Sequence, residues 1–126
     1  MKILVADDEP QILDIVTRIL DGAGHRVIRA IDGEEALRRV YETHPDLVLL
    51  DISMPRRDGA SVAQRMRDDP RTRDIPVVFL TGLIRTTEVG DRTGRTASNL
   101  FLAKPFDASE LLQIVDRATG TEAADG

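Results

Sequence analysis

Short unbroken runs of apolar residues alternate along the chain with longer segments in which apolar residues recur every three or four positions. The unbroken runs are typical of strands that are covered on both faces, and the periodic segments are typical of amphipathic helices. We therefore predict a chain of alternating strands and helices. The predicted strands are residues 2–6, 26–30, 47–50, 77–80 and 100–103.

The helix between the first two strands has the clearest periodic pattern. Its apolar residues follow the spacing of one helical face, and they are Ile12, Ile15, Val16, Ile19 and Leu20. Pro10 suits its first turn. Further helices are predicted after a sequence at residues 32–35 that resembles a capping box, at residues 59–68, and after a cap at Asp107.

The segment between Thr81 and Asn99 departs from this pattern. The alternation of elements requires a helix here, but the segment contains Gly90, Gly94 and four threonines, and it has no apolar stripe. A glycine inside a helix costs about 1 kcal/mol relative to alanine, and β-branched residues cost a fraction of that. We expect this fourth helix to be weak, displaced or mobile.

Strands that alternate with helices form parallel βαβ units with right-handed crossovers. We predict an α/β fold of the flavodoxin-like type, a three-layer sandwich around a five-stranded parallel sheet with the strand order 2-1-3-4-5. Ligands bind to such sheets beyond the carboxyl ends of the strands, where the strand order reverses. The prediction places Asp7, Asp8 and Asp51 in one crevice, with Thr81 and Lys104 on the same edge.

The three carboxylates in this crevice repel one another. Two unit charges about 4 Å apart cost roughly 4 kcal/mol at an effective dielectric constant near 20. One carboxylate is enough to cap a helix, so capping alone does not account for three that converge. A cation has to balance them, and oxygen ligands select Mg²⁺, Mn²⁺ or Ca²⁺.

The residues around the acids suit a phosphoryl group. Lys104 supplies a positive charge, the Thr81 hydroxyl can donate a hydrogen bond, and Gly82 leaves room beside it. A carboxylate can itself accept phosphoryl to give an acyl phosphate, while a metal ion and a lysine neutralise the transferring oxygens.

Composition narrows the class of protein. A chain of 126 residues, 41% hydrophobic and 31% charged, fits one globular domain. The net charge of -5 gives no electrostatic reason to bind nucleic acid or anionic lipid. There is no cysteine, no apolar run approaches membrane length, and no export signal is found. We therefore expect a cytoplasmic protein without disulfides or thiolate metal sites.

Taken in order, the motifs at the strand ends resemble those of the receiver domains of two-component response regulators. They are Asp7-Asp8-Glu9, then Asp51 with Met54-Pro55 and Asp58-Gly59, then Thr81-Gly82, and finally Lys104-Pro105-Phe106. The resemblance covers residues 1–118, which we expect to form the receiver domain, and leaves residues 119–126 as a flexible polar tail. Pro55 and Gly59 belong to the turn that follows the third strand.

The resemblance implies a role for each residue of the acidic crevice. Asp51 corresponds to the phosphoacceptor, which receives phosphoryl from a histidine of a partner kinase. Asp8 and Asp51 correspond to direct Mg²⁺ ligands, with the backbone carbonyl of Ser53, while Asp7 acts mainly through water. Mn²⁺ is a possible substitute for Mg²⁺. Lys104 corresponds to the residue that pairs with the phosphoryl group.

The resemblance also implies a conformational switch. Thr81, with Gly82 beside it, corresponds to the hydroxyl that is drawn toward the phosphate, and Phe101 to the aromatic ring that turns inward when Thr81 moves. Phe101 suits a plain core position almost equally well. The Lys104–Pro105 peptide bond is expected to be cis.

One feature departs from the family pattern. The family usually carries Gly-Ala shortly before the fifth strand, where this chain has Ala97-Ser98. That region forms much of the family's output surface, so the route by which a signal leaves the domain stays open.

We expect a stand-alone receiver, a signalling switch rather than an enzyme, limited to Mg²⁺-dependent self-phosphorylation and slow autodephosphorylation. Its partners would be a sensor histidine kinase or histidine phosphotransfer protein and an unidentified downstream protein, without direct nucleic acid or membrane contact. A small aspartate-nucleophile phosphatase is the alternative, but such enzymes usually place a second Asp where this chain has Ser53. A flavodoxin-like electron carrier would need flavin-stacking aromatic residues, and the chain has only Tyr41 and three phenylalanines.

Overall fold

The computed structural model describes residues 1–82, 95–96 and 99–120, and for residues 95, 96 and 99 it describes the backbone alone. Within these ranges the strands are β1 (Lys2–Ala6), β2 (Arg26–Ala30), β3 (Leu47–Asp51), β4 (Val77–Thr81), β5 (Arg95–Thr96) and β6 (Asn99–Ala103). The helices are α1 (Pro10–Gly22), α2 (Gly33–Thr43), α3 (Gly59–Asp68) and α4 (Ala108–Thr119).

The strands form one sheet in the order β2-β1-β3-β4-β6-β5. The five longer strands are parallel, so the predicted order 2-1-3-4-5 is confirmed, with β6 as the fifth strand. The two-residue β5 pairs with the start of β6 in the antiparallel sense. The sequence did not predict β5, because so short a strand has no periodic pattern of its own.

Apolar side chains cover both faces of the sheet. On one face Ile3 and Leu49 belong to a buried cluster with Leu20 of α1 and Leu111 of α4. On the opposite face Leu50 belongs to a second buried cluster that includes the inward residues of α2 and α3. Two helix layers around one sheet confirm the predicted three-layer α/β sandwich.

Side-chain caps fix the start of three helices, α2, α3 and α4. At α4 the Asp107 carboxylate accepts from the Glu110 N–H at 2.8 Å, and the Glu110 carboxylate accepts from the Asp107 N–H at 3.0 Å, which completes a capping box. At α2 the Asp32 carboxylate accepts from the Glu35 N–H at 2.8 Å, as predicted. The Glu35 carboxylate, however, accepts from the N–H of Ile31, one residue before the cap.

Three of the sequence-based predictions fall on residues that the structure does not describe. They are the weak fourth helix expected after residue 82, the departure at Ala97 and Ser98, and most of the polar tail. Helix α4 ends at Thr119, and Gly120 forms its C-terminal cap. Among the described helices, none has the length and apolar character needed to cross a membrane.

Candidate functional site

The site lies where four strands of the sheet end side by side. Asp51 is the last residue of β3, and Thr81 is the last residue of β4. Asp7 follows β1 directly, and Lys104 follows β6 directly. Because these strands are parallel, all four residues reach the carboxyl edge of the sheet. The structure therefore brings together the residues that the sequence placed in one crevice.

Three carboxylates lie close together in this pocket. One oxygen each from Asp7, Asp8 and Asp51 lie within 4.8 Å of one another. Asp7 is fully buried and Asp51 is 6% exposed, whereas Asp8 is exposed. The pocket is thus open to solvent on the side of Asp8. Such a set of closely spaced oxygen donors fits Mg²⁺, which prefers carboxylates and keeps part of its water shell.

The Lys104 side chain reaches into the pocket and contacts three acids. Its Nζ lies 2.8 Å from Oδ2 of Asp7, 3.3 Å from Oε1 of Glu9 and 3.6 Å from Oδ1 of Asp51. The nearest partner of Lys104 is therefore Asp7 and not Asp51. Its backbone N–H donates to the carbonyl of Thr81 at 2.8 Å, and the peptide bond to Pro105 is cis.

Glu9 is a site residue to which sequence reasoning gave no role. It belongs to the acidic motif after β1. Its carboxylate and Lys104 are 95 residues apart in the sequence and come together only in the folded chain. The N–H of Glu9 also donates to Oδ1 of Asp7 at 2.9 Å, which fixes the Asp7 side chain. Asp7 therefore accepts from Glu9 through one oxygen and from Lys104 through the other.

The surroundings of Asp51 make its carboxyl group a weaker acid than usual. Burial is the largest cause, and the negative charge of Asp7 adds to it. The positive charge of Lys104 and a hydrogen bond from the Ser53 N–H act in the opposite direction. Together they raise the pKa of Asp51 to about 6. The Asp51 carboxyl therefore loses its proton about two pH units above the usual range of an aspartate.

Lys104 keeps its positive charge at this site. Burial by itself lowers the pKa of Lys104, but the hydrogen bond and charge of Asp7, with contributions from Asp51 and Glu9, outweigh burial and raise the pKa above its ordinary value. Three carboxylates against one ammonium group leave the pocket with excess negative charge, which favours a divalent cation.

The remaining predicted residues line the same edge or lie close behind it. Thr81 is 2% exposed, and the space beside Gly82 is open, since a Cβ there would have no atom within 4 Å among the described contacts. Phe101 is 5% exposed and lies in register with Phe79 of β4. A buried ring at this position is compatible with both roles that the sequence allows.

The β3–α3 loop (residues 52–58) leads away from Asp51. It closes through a hydrogen bond of 2.8 Å from the Gly59 N–H to the carbonyl of Ile52. A Cβ on Gly59 would lie 2.3 Å from the backbone oxygen of Asp51, so no other residue fits there without a shift of the backbone. Gly59 therefore allows α3 to begin directly against the end of β3, while Pro55 lies in the middle of the loop.

The fold and this edge define a doubly wound α/β domain with an acidic, lysine-bearing pocket at the switch point of its sheet. The family model described as the response regulator receiver domain matches residues 3–116. The chain belongs to this family, whose members are the receiver domains of two-component systems.

Several known proteins are similar to this chain. The transcriptional regulator RpaA of Synechocystis, named as DNA-binding, is 42% identical over 113 residues, which are 88% of this chain and 46% of RpaA. The chain thus spans about half the length of the curated relatives it matches. The chemotaxis protein CheY4 of Vibrio cholerae has a TM-score of 0.78 at 28% identity, with 93% of this chain and 97% of CheY4 covered.

A third similar protein was solved with a metal ion. It is the receiver domain of the sensor histidine kinase PA1611 of Pseudomonas aeruginosa, with a TM-score of 0.80 at 30% identity, and 94% of this chain and 97% of that chain are covered. That structure holds a magnesium ion coordinated in its active-site cleft.

Proposed function

We propose that Asp51 accepts a phosphoryl group from a phosphohistidine of a sensor histidine kinase or a histidine phosphotransfer protein, and that the resulting aspartyl phosphate switches the domain for a downstream protein. The observation that carries the proposal is the position of the Asp51 carboxylate, which lies 3.6 Å from Nζ of Lys104 and within 4.8 Å of an oxygen of both Asp7 and Asp8.

In the proposed transfer, an oxygen of the Asp51 carboxylate forms the new O–P bond while the N–P bond of the phosphohistidine breaks. The departing imidazole leaves with the bonding electron pair and takes up a proton. Ionised Asp51 is the reactive form, since a protonated carboxyl is a poor nucleophile. Lys104, which stays protonated, would exchange Asp7 for an oxygen of the incoming phosphoryl group.

Mg²⁺ is part of the proposal, and Mn²⁺ would serve in its place. Asp8, Asp51 and the backbone carbonyl of Ser53 would hold the ion, with Asp7 acting mainly through water. When bound, the ion neutralises charge on the transferring phosphoryl oxygens. The donor set supports this assignment, because the three carboxylates carry more negative charge than Lys104 balances.

The proposed conformational switch involves Thr81 on β4 and Phe101 on β6. Thr81, at the end of β4, would move its hydroxyl toward the phosphoryl group, with Gly82 leaving room, and Phe101 would follow on the neighbouring strand. Support comes from the backbone hydrogen bond between Lys104 and Thr81 and from the pairing of Phe101 with Phe79, which join β4 and β6.

A cytoplasmic location belongs to the same proposal. DNA binding is part of the name of RpaA, a protein about twice as long, and we do not propose it for this domain.

Incubation with a small phosphodonor and Mg²⁺, followed by intact mass spectrometry, tests the phosphorylation step. We expect the mass of one phosphoryl group to be added to the wild-type protein and nothing to be added to Asp51→Asn. Asp58→Asn is the matched control, because Asp58 caps α3 in the adjacent loop and Asn also caps helices. A wild-type protein that stays unmodified, or an addition that survives Asp51→Asn, would defeat the proposal.

A further inference from the structure

The β3–α3 loop is held from outside by the start of α2. Its own backbone is closed by the Ile52–Gly59 hydrogen bond, and inside the loop the Arg57 N–H donates to the Pro55 carbonyl at 2.8 Å. Met54 turns inward and is 8% exposed. Arg56 and Arg57 contact the start of α2, and most of these contacts involve Arg57.

Arg57 makes polar contacts with two helices. Its Nε and Nη2 lie 3.1 Å and 3.0 Å from the same oxygen, Oε2 of Glu34 in the first turn of α2. Its Nη1 donates to Oγ of Ser61 in the first turn of α3 at 2.9 Å. The side chain is 23% exposed, so the guanidinium is partly shielded from water. A planar guanidinium holds such a geometry better than the flexible ammonium of a lysine.

The backbones meet at the same place. A Cβ on Gly33 would lie 1.8 Å from the carbonyl oxygen of Arg57, so α2 and the loop are in direct contact with no side chain between them. Arg56 has a φ of 71°, in the left-handed region, which is energetically unfavourable for residues that carry a side chain. Its Nε lies 3.4 Å from Oδ2 of Asp32, the cap of α2. The loop is therefore fastened to α2 at two successive arginines.

We propose that Arg57 is a positioning residue for divalent-cation binding: by bridging Glu34 and Ser61 it fixes the β3–α3 loop, and with it the backbone of Ser53 beside Asp51. This inference rests on the proposed function, in which the Ser53 carbonyl is a metal ligand. Ser53 follows Asp51 by only two residues, and its backbone N–H lowers the pKa of the Asp51 carboxyl, so the position of the loop backbone bears on the acidic pocket.

The sign of the effect separates positioning from simple electrostatics. Removing a positive charge near a cation site strengthens cation binding by Coulomb's law alone. If Arg57 positions the loop, its removal weakens binding instead, because the Ser53 carbonyl is no longer held in place. Once the cation is saturating, the phosphoryl-transfer rate should recover, since Arg57 contacts none of the acids of the pocket.

Isothermal titration with Mg²⁺ and phosphorylation by a small phosphodonor at low and saturating Mg²⁺ test the proposal. We expect Arg57→Met to raise the Kd for Mg²⁺ by about threefold to tenfold, with an unchanged rate at saturation. Arg57→Lys should be intermediate, and adding Glu34→Gln to Arg57→Met should have no further effect. The matched control is Arg38→Met on the exposed face of α2, whose partners Glu35 and Glu42 lie on the same helix.

Two results would overturn the inference on its own. One is a wild-type protein that binds Mg²⁺ while Arg57→Met binds it equally well or more tightly. The other is a variant whose rate stays low at saturating Mg²⁺, which would point to a general structural defect. A wild-type protein that binds no Mg²⁺ would instead remove the proposed function, and this inference would fall with it.

Discussion

Asp51 lies at the boundary between the buried sheet and an open pocket, and this position governs its chemistry. Burial and the charge of Asp7 raise the pKa of its carboxyl to about 6, against an ordinary value of 3.8. At pH 7 the group is mostly ionised, but its ionisation lowers the stability of the folded state. Lys104 limits that cost but does not remove it, since it is bonded more closely to Asp7.

The first prediction at this scale is that Asp51→Asn stabilises the metal-free protein at neutral pH. The pKa is higher in the folded state than in the unfolded chain, so the stability linked to Asp51 is full below pH 3.8 and is lost as the pH rises through about 6. Above that pH the ionised group costs on the order of 2 kcal/mol, which Asn avoids. Urea denaturation in EDTA should give a variant that is more stable at pH 8, with a smaller difference at pH 5. A difference that does not change with pH would contradict the pKa.

A second prediction concerns Lys104→Met. Without the lysine, buried Asp7 loses its ion pair, so the free energy of unfolding in EDTA should fall by about 2 kcal/mol or more. The acids then lack their resident cation, and Mg²⁺ should bind several-fold more tightly than to the wild type. Denaturation and titration calorimetry measure the two effects. Lys2→Met, at the opposite end of β1, should leave Mg²⁺ binding unchanged, and weaker Mg²⁺ binding by Lys104→Met would refute the account.

Residue types and strand ends were enough to predict which side chains gather in the pocket. Asp7, Asp8, Asp51 and Lys104 each follow or end a strand whose apolar run is visible in the sequence. The contacts of Glu9 and Arg57 were not predictable in this way. Both sets of contacts join side chains from distant segments, which come together only when the helices and loops pack. Residue spacing in the sequence does not predict such contacts.

At the scale of elements, the connection between β3 and α3 fixes the position of Asp51. Gly59 lets the first turn of α3 approach the end of β3, with its N–H bonded to Ile52. The same turn is capped by Asp58, whose carboxylate accepts from the Ser61 N–H at 2.8 Å. Strand, loop and helix thus form one continuous support for the pocket.

We predict that Gly59→Ala is strongly destabilising. The new Cβ would lie 2.3 Å from the Asp51 backbone oxygen, so the loop has to move, at a cost of about 2 kcal/mol or more. Gly22→Ala is the matched control, since a Cβ at this last position of α1 meets no atom within 4 Å and alanine favours the helix. Thermal unfolding should show a lower Tm for the first and an equal or higher Tm for the second. Equal Tm values would contradict the close approach.

The long elements were predictable because each carries a pattern of its own. The apolar runs of β1, β3 and β4 and the helix α1 appear in the structure as expected. The buried face of α1 differs from the predicted one, because Ile15 is exposed and Leu13 is buried with Val16 and Leu20. β5 and the partial capping box of α2 were not predicted. A strand of two residues is too short to show a periodic pattern. The Glu35 carboxylate accepts from the N–H of Ile31 and not from that of Asp32, and the sequence motif does not distinguish these two N–H groups.

At the scale of the whole molecule, the sheet has helices packed on both faces and three mutually repelling carboxylates at its carboxyl edge. The two buried clusters hold the strand ends in place, and the repulsion among the acids is relieved only in part by Lys104. A bound cation should therefore stabilise the entire domain, because it binds the folded state and not the unfolded chain.

We predict that Mg²⁺ raises the stability of the wild-type domain by about 2.7 kcal/mol at a concentration of one hundred times its Kd. Asp51→Asn, which loses one of the proposed ligands, should gain far less at the same Mg²⁺ concentration. Thermal unfolding across a Mg²⁺ series measures both. An equal gain in the two proteins would show that the ion binds elsewhere.

The central claim is that Asp51 itself carries the phosphoryl group, and chemical mapping of the acyl phosphate tests it most directly. Borohydride reduces an acyl phosphate to the alcohol, so phosphorylated Asp51 would be converted to homoserine. Trypsin cleavage after Arg39 and Arg56 isolates a peptide that contains Asp46 as well as Asp51. Fragment masses should place homoserine at position 51 with Asp46 intact. Homoserine at position 46, at 7 or at 8, or at no position after phosphodonor treatment, would contradict the account.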